Sequence, residues 1–481
     1  MTADRPQDGQ RPVDPRPVDP RPNVIVLYAD DLGWGDLGCF GSEDIPSPHL
    51  DSLCADGVKL SQWYANSPVC SPSRASLLTG KYPAHAGVEE ILGGRRDTPG
   101  LPPQETMASL LRDRGYATGL FGKWHLGVDA EYAPGNYGFD EVFGIRAGCV
   151  DYYSHIFYWG DHDPVHDLWD GEDEVWLNGE YLTTVLGRRA AEFIARQAPR
   201  NPFFCYVPFN APHYPMHAPA EHMARVAHLP EGRREMAAMI AALDDAVGEI
   251  LAALESAGAR ENTLVVFSSD NGPSRESRNW LGGEEISYTG GSAGGLRGSK
   301  GSVFEGGTRV PSIAAWPARL PAGTEVNRPG LMMDLLPTIL HAVDGAEPEL
   351  ADVDGVSQLE TLRGADRVHD AEAPGHGRAE PAATEPGPAE TTGPGDEASQ
   401  ERTVMWTYED QWAVRRGRYK LVIGAREGMD PPITVSRAVF DLDLDPAETR
   451  DISADAPTLT AELEHALSGW QRTHHAWVAA T

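Results

Sequence analysis

Five cysteines in 481 residues are too few, and odd in number, for a disulfide scaffold. No CxxC pair suggests a structural zinc site. Apolar runs are short as well. The longest, such as VIVLYA at 24–29, have strand length and fall well under the ~18 residues of a spanning helix. Positive charge is scarce: 40 Lys plus Arg stand against 72 Asp plus Glu, a net charge of −32. Such a charge repels polyanions, which removes nucleic acid and anionic membrane as default partners. The first residues, MTADRPQDGQRPVDP, lack the apolar core of a secretory signal, so a cytoplasmic protein is expected. GxSxG, HExxH and a Walker A loop are also absent; GGLRGSKG comes near the last but has Ser before Lys300.

What is present alternates. Residues 11–22 repeat RPVDP, a Pro-rich pattern that predicts an extended, flexible leader over 1–22. From Asn23 short apolar strands (VIVLYA, ATGLFG, PFFCYVPF, TLVVFSS) interleave with amphipathic helical stretches near 104–114, 181–198 and 232–257. This is an α/β pattern. Residues 23–365 are read as its catalytic domain, a large mixed, mostly parallel sheet flanked by helices, which places sites at strand carboxyl ends. Between Asp370 and Glu401 lie five Pro, five Gly, seven Ala and eight acids with no Phe, Trp or Tyr. That composition cannot repay its ordering entropy, so 366–401 is expected to be a flexible insertion. Residues 402–481 read as a smaller antiparallel sheet plus a closing helix, packed on the first domain and carrying no polar cluster of its own.

Five polar groupings carry the chemistry. Asp30-Asp31 follows one apolar strand and Asp270-Asn271 another, a set of hard oxygen donors suited to Ca²⁺ or Mg²⁺. Arg or Lys could balance the same carboxylates, and Asp is common in turns, so the metal is not forced by these residues alone. Cys70-Ser71-Pro72-Ser73-Arg74 opens a short helix ending at Gly80, with Cys70 near the electropositive N-terminus and Arg74 one turn on. That thiol could be a low-pKa nucleophile, a metal ligand or a buried structural group. Lys123 and His125 are two apart, so an extended backbone would turn both to one face as an anion clamp and proton-transfer pair. His213 lies between prolines in NAPHYP, and Lys300 lies in a glycine-rich loop that permits close approach to a ligand. Residues 149–176 crowd aromatics, histidines and acids into one stretch, a pattern of substrate-contacting loops.

Taken together, CSPSRASLLTG, GYATGLFGKWHLG, ADDLGWGDLGCFG, SSDNG and AVFDLDLDPAETRD resemble the motifs of the type I, formylglycine-dependent sulfatases of the alkaline phosphatase superfamily. The resemblance runs from about Asn23 to about Asp451, the acidic insertion excepted, and implies an alkaline phosphatase-like fold. It also implies oxidation of Cys70 to Cα-formylglycine by a separate maturation enzyme. A Ca²⁺ ion, with Mg²⁺ as the alternative, would be held by Asp30, Asp31, Asp270, Asn271 and residue 70. Arg74, Lys123, His125, His213 and Lys300 match the family's positions for steadying the hydrate and gripping sulfate. The implied reaction is hydrolysis of an aryl or carbohydrate sulfate monoester. One hydroxyl of hydrated residue 70 attacks sulfur, Asp270 accepts its proton, and His213 with Lys300 protonates the departing oxygen. His125 then deprotonates the second hydroxyl to expel sulfate. The rival readings are a formylglycine-dependent phosphonate or phosphodiester hydrolase and a non-catalytic binding module.

Overall fold

The strand Asn23–Ala29 shows how the sheet is buried on both sides. Val24, Val26 and Tyr28 point into one hydrophobic cluster and Ile25, Leu27 and Ala29 into another, the period-two division of a covered strand. The structure, a computed structural model, describes residues 19–94, 96, 98–157, 163–275, 289–364, 402–428 and 435–478. Positions 1–18 of the Pro-rich leader and the whole of 370–401 lie outside the described residues. Residues 19–22 are fastened to the domain: Arg21 stacks on Tyr116 at 5.3 Å, and the Tyr116 hydroxyl donates to the Pro22 carbonyl at 2.7 Å.

Ten strands form the main sheet. Its parallel centre runs Thr263–Ser269, Asn23–Ala29, Phe203–Pro208, Ala117–Lys123 and Glu141–Ile145. Short strands extend both edges, including antiparallel Ile313–Ala315 beside Thr263–Ser269. The helices Leu182–Gln197 and Arg233–Ser256 cover one face, while Cys70–Thr79, Met107–Asp113 and Leu335–Asp344 cover the other. The α/β expectation therefore holds, with a mostly parallel sheet between two helical layers. A four-stranded antiparallel sheet, Thr403–Tyr408, Gln411–Arg416, Tyr419–Ala425 and Val435–Asp441, follows and packs against the helix Pro457–Val478.

This smaller sheet contributes more polar chemistry than the sequence suggested. Lys420 Nζ lies 2.9 Å from Glu305 and 3.1 Å from Glu448, all fully buried. Tyr64 donates to Glu305 at 2.7 Å and itself accepts from Arg415, so the cluster ties the second sheet to the first domain. Burial works to raise the Glu305 carboxyl, but Lys420, Arg415 and Arg309 outweigh it and hold it at about 2. Burial pushes Glu448 up to about 7, against the pull of Lys420. A carboxyl raised in the folded state binds its proton more tightly there than when unfolded. Its contribution is complete below the ordinary value near 4.5 and is lost as pH rises through about 7. Glu448→Gln should remove that slope. Between pH 4 and 8 the wild type should lose about 2–3 kcal/mol relative to this variant in denaturant titrations. A stability difference that does not change with pH would contradict the assignment.

Candidate active site

Parallel strands bring the acidic pairs together. Ala29 pairs with Ser269, so Asp30 and Asp270 leave adjacent strand ends side by side, joined by an Asp270 N–H bond to the Ala29 carbonyl at 3.2 Å. Asp31 sits in the left-handed region at φ 66° and donates its N–H to Asp270 Oδ1 at 3.1 Å. Lys123 is the last residue of the neighbouring Ala117–Lys123 strand, and His213 follows the Phe203–Pro208 strand. The helix Cys70–Thr79 enters with Cys70 as its first residue, after an extended Val69, and closes on Gly80 at φ 70°. The sheet's carboxyl edge and one helix N-terminus thus meet at a single point.

Each carboxylate there has a cation. Lys123 Nζ is 2.7 Å from Asp30 Oδ2, Lys300 Nζ is 3.0 Å from Asp31 Oδ2, and Arg74 Nη2 is 2.6 Å from Asp270 Oδ2. Arg74 also donates to Asp270 through Nε at 3.0 Å and to the Lys123 carbonyl at 3.1 Å. Burial opposes its charge, but Asp270 and Asp30 outweigh burial and hold the guanidinium above its ordinary range. Burial pushes Asp30 up to about 8, against Lys123.

Cys70 is buried with its Sγ 3.6 Å from Asp30 Oδ1. Burial drives the thiol well above its ordinary value although Lys123 and Lys300 pull it down, so a low-pKa thiolate is not what this setting produces. The extended backbone expected through Lys123 and His125 is also absent. The chain leaves the sheet after Lys123, Trp124 packs on Tyr137 and Phe139, and His125 takes φ 55°. The two side chains diverge: Lys123 reaches Asp30, while His125 lines a cavity of about 260 Å³ with Cys70, His213 and Lys300.

Carbonyl acceptors fix both imidazoles. The Leu92 carbonyl lies 2.9 Å from His125 Nε2, which must carry the proton to make that bond, leaving buried Nδ1 without a partner. The Tyr214 carbonyl lies 2.8 Å from His213 Nδ1, so Nε2 faces Asp31 Oδ2 at 3.7 Å without a hydrogen. Burial pushes both rings well below the usual histidine value, with Lys123 and Arg74 adding to it at His125, and Lys300 and Lys123 at His213. Both are neutral in the free protein.

Donor atoms of Asp30, Asp31, Cys70 and His213 all lie within 4.8 Å of one another. Asp270 is not one of that group; its oxygens accept from Arg74 and from the Asp31 N–H. Asn271 donates from Nδ2 to Asp31 at 2.7 Å, and its buried Oδ1 has no partner. An orphaned amide oxygen beside two convergent carboxylates fits a hard divalent cation. His213 is the member that the oxygen-ligand reading left out. The cavity walls hold further residues that sequence reasoning missed, Ile91, Leu92, Gly94 and Gly148 among them. Nothing in the segment EEILGG signals such a role. Cys149 and Phe157 come from the aromatic stretch already singled out.

Residues 22–346 match the family described as Sulfatase. The chain belongs to the sulfatase family. Among curated sulfatases it is 34% identical to arylsulfatase J of Mus musculus over 368 residues, 74% of this chain and 58% of that one. It is 35% identical to N-acetylgalactosamine-6-sulfatase of Canis lupus familiaris over 373 residues, 71% and 66% of the respective chains. The chain thus spans under two thirds of the length of these relatives. The crystal structure of Ps i-CgsB superposes with a TM-score of 0.76 at 29% identity, covering 94% of this chain and 92% of that one. That agreement extends through the mixed sheet and the smaller antiparallel sheet, the arrangement of the alkaline phosphatase superfamily.

Proposed function

We propose that this sulfatase-family chain hydrolyses the S–O bond of an aryl or carbohydrate sulfate monoester, with residue 70 as nucleophile. The observation that carries the reading is Cys70 at a helix N-terminus on the floor of a cavity shared with His125, His213 and Lys300. Oxidised to Cα-formylglycine by a maturation enzyme, residue 70 would supply a hydrated aldehyde, one hydroxyl for attack and one for release of sulfate. A divalent cation, Ca²⁺ by its oxygen donors, would be held by Asp30, Asp31, Asn271 and residue 70, with Asp270 supporting through Asp31 and Arg74. It would supply Lewis-acid polarisation. Lys123, Lys300 and Arg74 each pair with one of the three acids in the site. Two added positive charges are what a sulfate monoanion and a deprotonated hydroxyl require.

The chain's own groups then divide the work. Asp30 Oδ1, 3.6 Å from Sγ of residue 70, would accept the nucleophile's proton, the divalent cation keeping it ionised against the burial that raises it. Asp30 and Asp270 are both held by cations, so the choice of Asp30 rests on its nearness to Sγ. Lys123 and Lys300 grip the sulfate oxygens, and Arg74 locks Asp270 and the end of the Lys123 strand. His125, with Nδ1 bare, accepts the proton that releases sulfate. His213 enters with Nε2 bare, so it must take a proton from solvent as the anionic ester binds before it can protonate the leaving oxygen; Lys300 is the neighbouring cation.

His213→Ala should therefore slow an alkyl or sugar sulfate about 10²–10⁴-fold, the range for general acid assistance, and spare nitrophenyl sulfate. Steady-state rates on both esters, and on a nitrophenyl phosphodiester, test the reading. Equal losses on both sulfates would remove His213 from the acid role. Rapid phosphodiester cleavage with negligible sulfate turnover would overturn the sulfatase activity itself.

A further inference from the structure

The segments that build the reaction pocket also line a second cavity, of about 360 Å³. His125 leads into Val128 and Asp129, Gly148 follows Arg146, and Gly94 precedes Arg96; the first of each set lines the reaction pocket and the second the neighbouring cavity. The His125 N–H donates to the Arg146 carbonyl at 3.1 Å, joining the two walls directly.

Arg146 is the unusual feature of this cavity. It is only 6% exposed, its guanidinium lies over the Trp169 ring at 4.0 Å, and among the described residues that guanidinium makes one hydrogen bond, a long 3.4 Å contact to the Gly171 carbonyl. It forms no ion pair among the described residues. Asp167 is close, but its oxygens accept the N–H groups of Arg146 and Ala147 and the indole N–H of Trp169. Burial pushes the Arg146 pKa down and Arg96 adds to that, against the pull of Asp167 and Glu172. A buried guanidinium without a carboxylate is costly unless something else satisfies it, and its planar fork suits an oxyanion. Arg96, on the opposite wall, also makes no ion pair among the described residues, although Asp129 and Glu172 line the same space.

We propose that the Arg96–Arg146 cavity binds a second oxyanion, a sulfate or carboxylate group carried by the same substrate molecule whose sulfate ester enters the residue-70 pocket. The inference rests on the proposed sulfatase function and narrows its substrate to a doubly anionic ester, for which a saccharide bearing two acidic groups is the natural case. Arg146 acts as a specificity determinant that does not touch the reacting atoms. Trp169, stacked on it, reports whether the cavity is filled.

The test compares N-acetylgalactosamine 6-sulfate with its 4,6-disulfate and with nitrophenyl sulfate, using wild type, Arg146→Gln and Arg146→Lys. Arg146→Gln should raise KM for the disulfate at least 10-fold, leave nitrophenyl sulfate within 2-fold, and be partly rescued in Arg146→Lys. In parallel, the disulfate, the monosulfate and inorganic sulfate are titrated onto Cys70→Ala protein, with Trp169→Phe isolating the fluorescence response. The disulfate should bind at least 10-fold more tightly than the monosulfate, and Arg146→Gln should abolish that difference. Equal binding of the two sugars, equal losses on all three substrates, or a response to inorganic sulfate alone would overturn the proposal. Because binding is read in a protein that cannot turn over, a failure of the sulfatase reaction leaves this comparison intact.

Discussion

Cys70→Ala should lose sulfatase activity by about 10⁴–10⁶-fold, the scale on which removal of a nucleophile acts. Cys70→Ser should fare little better, since a serine hydroxyl offers one oxygen where the proposed chemistry needs two. The fold should tolerate either change. Cys70 packs at a helix start that no side chain caps, and the neighbouring Arg74–Asp270 pair does not pass through it. Rates on nitrophenyl sulfate and near-ultraviolet circular dichroism together check this. A Cys70→Ala protein retaining more than a hundredth of wild-type turnover would remove residue 70 from the chemistry.

Removal of divalent cation by a chelator should cost about 10³-fold or more in activity, several kcal/mol of transition-state stabilisation. It should not unfold the protein. Asp30, Asp31 and Asp270 keep Lys123, Lys300 and Arg74 as partners without an ion, so emptying the site strands no buried carboxylate. This separates the site from structural zinc centres, whose binding energy is folding energy. Thermal melting with activity and elemental analysis should show a folded, inactive protein that recovers on adding Ca²⁺. Recovery by Zn²⁺ in its place, or unfolding on chelation, would contradict the oxygen-donor assignment.

Much of this was legible in the chain because strands announce their own ends. Asp30-Asp31 and Asp270-Asn271 each follow an apolar run whose length and β-branched residues mark a buried parallel strand, and such strands deliver their next residues to one edge. Cys70 was legible for a similar reason, Pro72 and Gly80 bracketing a short helix. Partnerships across the chain were not. Arg74 and Asp270 are 196 residues apart, and only the folded sheet shows that they are in contact. The left-handed backbone at His125 has no clear sequence signal, since few non-glycine residues adopt it even though histidine is enriched among those that do. The Glu305–Lys420–Glu448 cluster escaped for the same reason as the Arg74 pair, since Glu305 lies 115 residues from Lys420 and 143 from Glu448. Strands as short as Val58–Leu60 carry too few residues to show a period.

The central claim is that residue 70 becomes an aldehyde and that the aldehyde does the work. Peptide mass spectrometry of protein produced with and without a formylglycine-generating enzyme tests it most directly, read against activity of the same samples. The account predicts a residue-70 peptide about 18 Da lighter than its cysteine form, a covalent change absent from the translated sequence, with activity rising in proportion to its fraction. Full activity in protein whose residue 70 is entirely unmodified cysteine would contradict it.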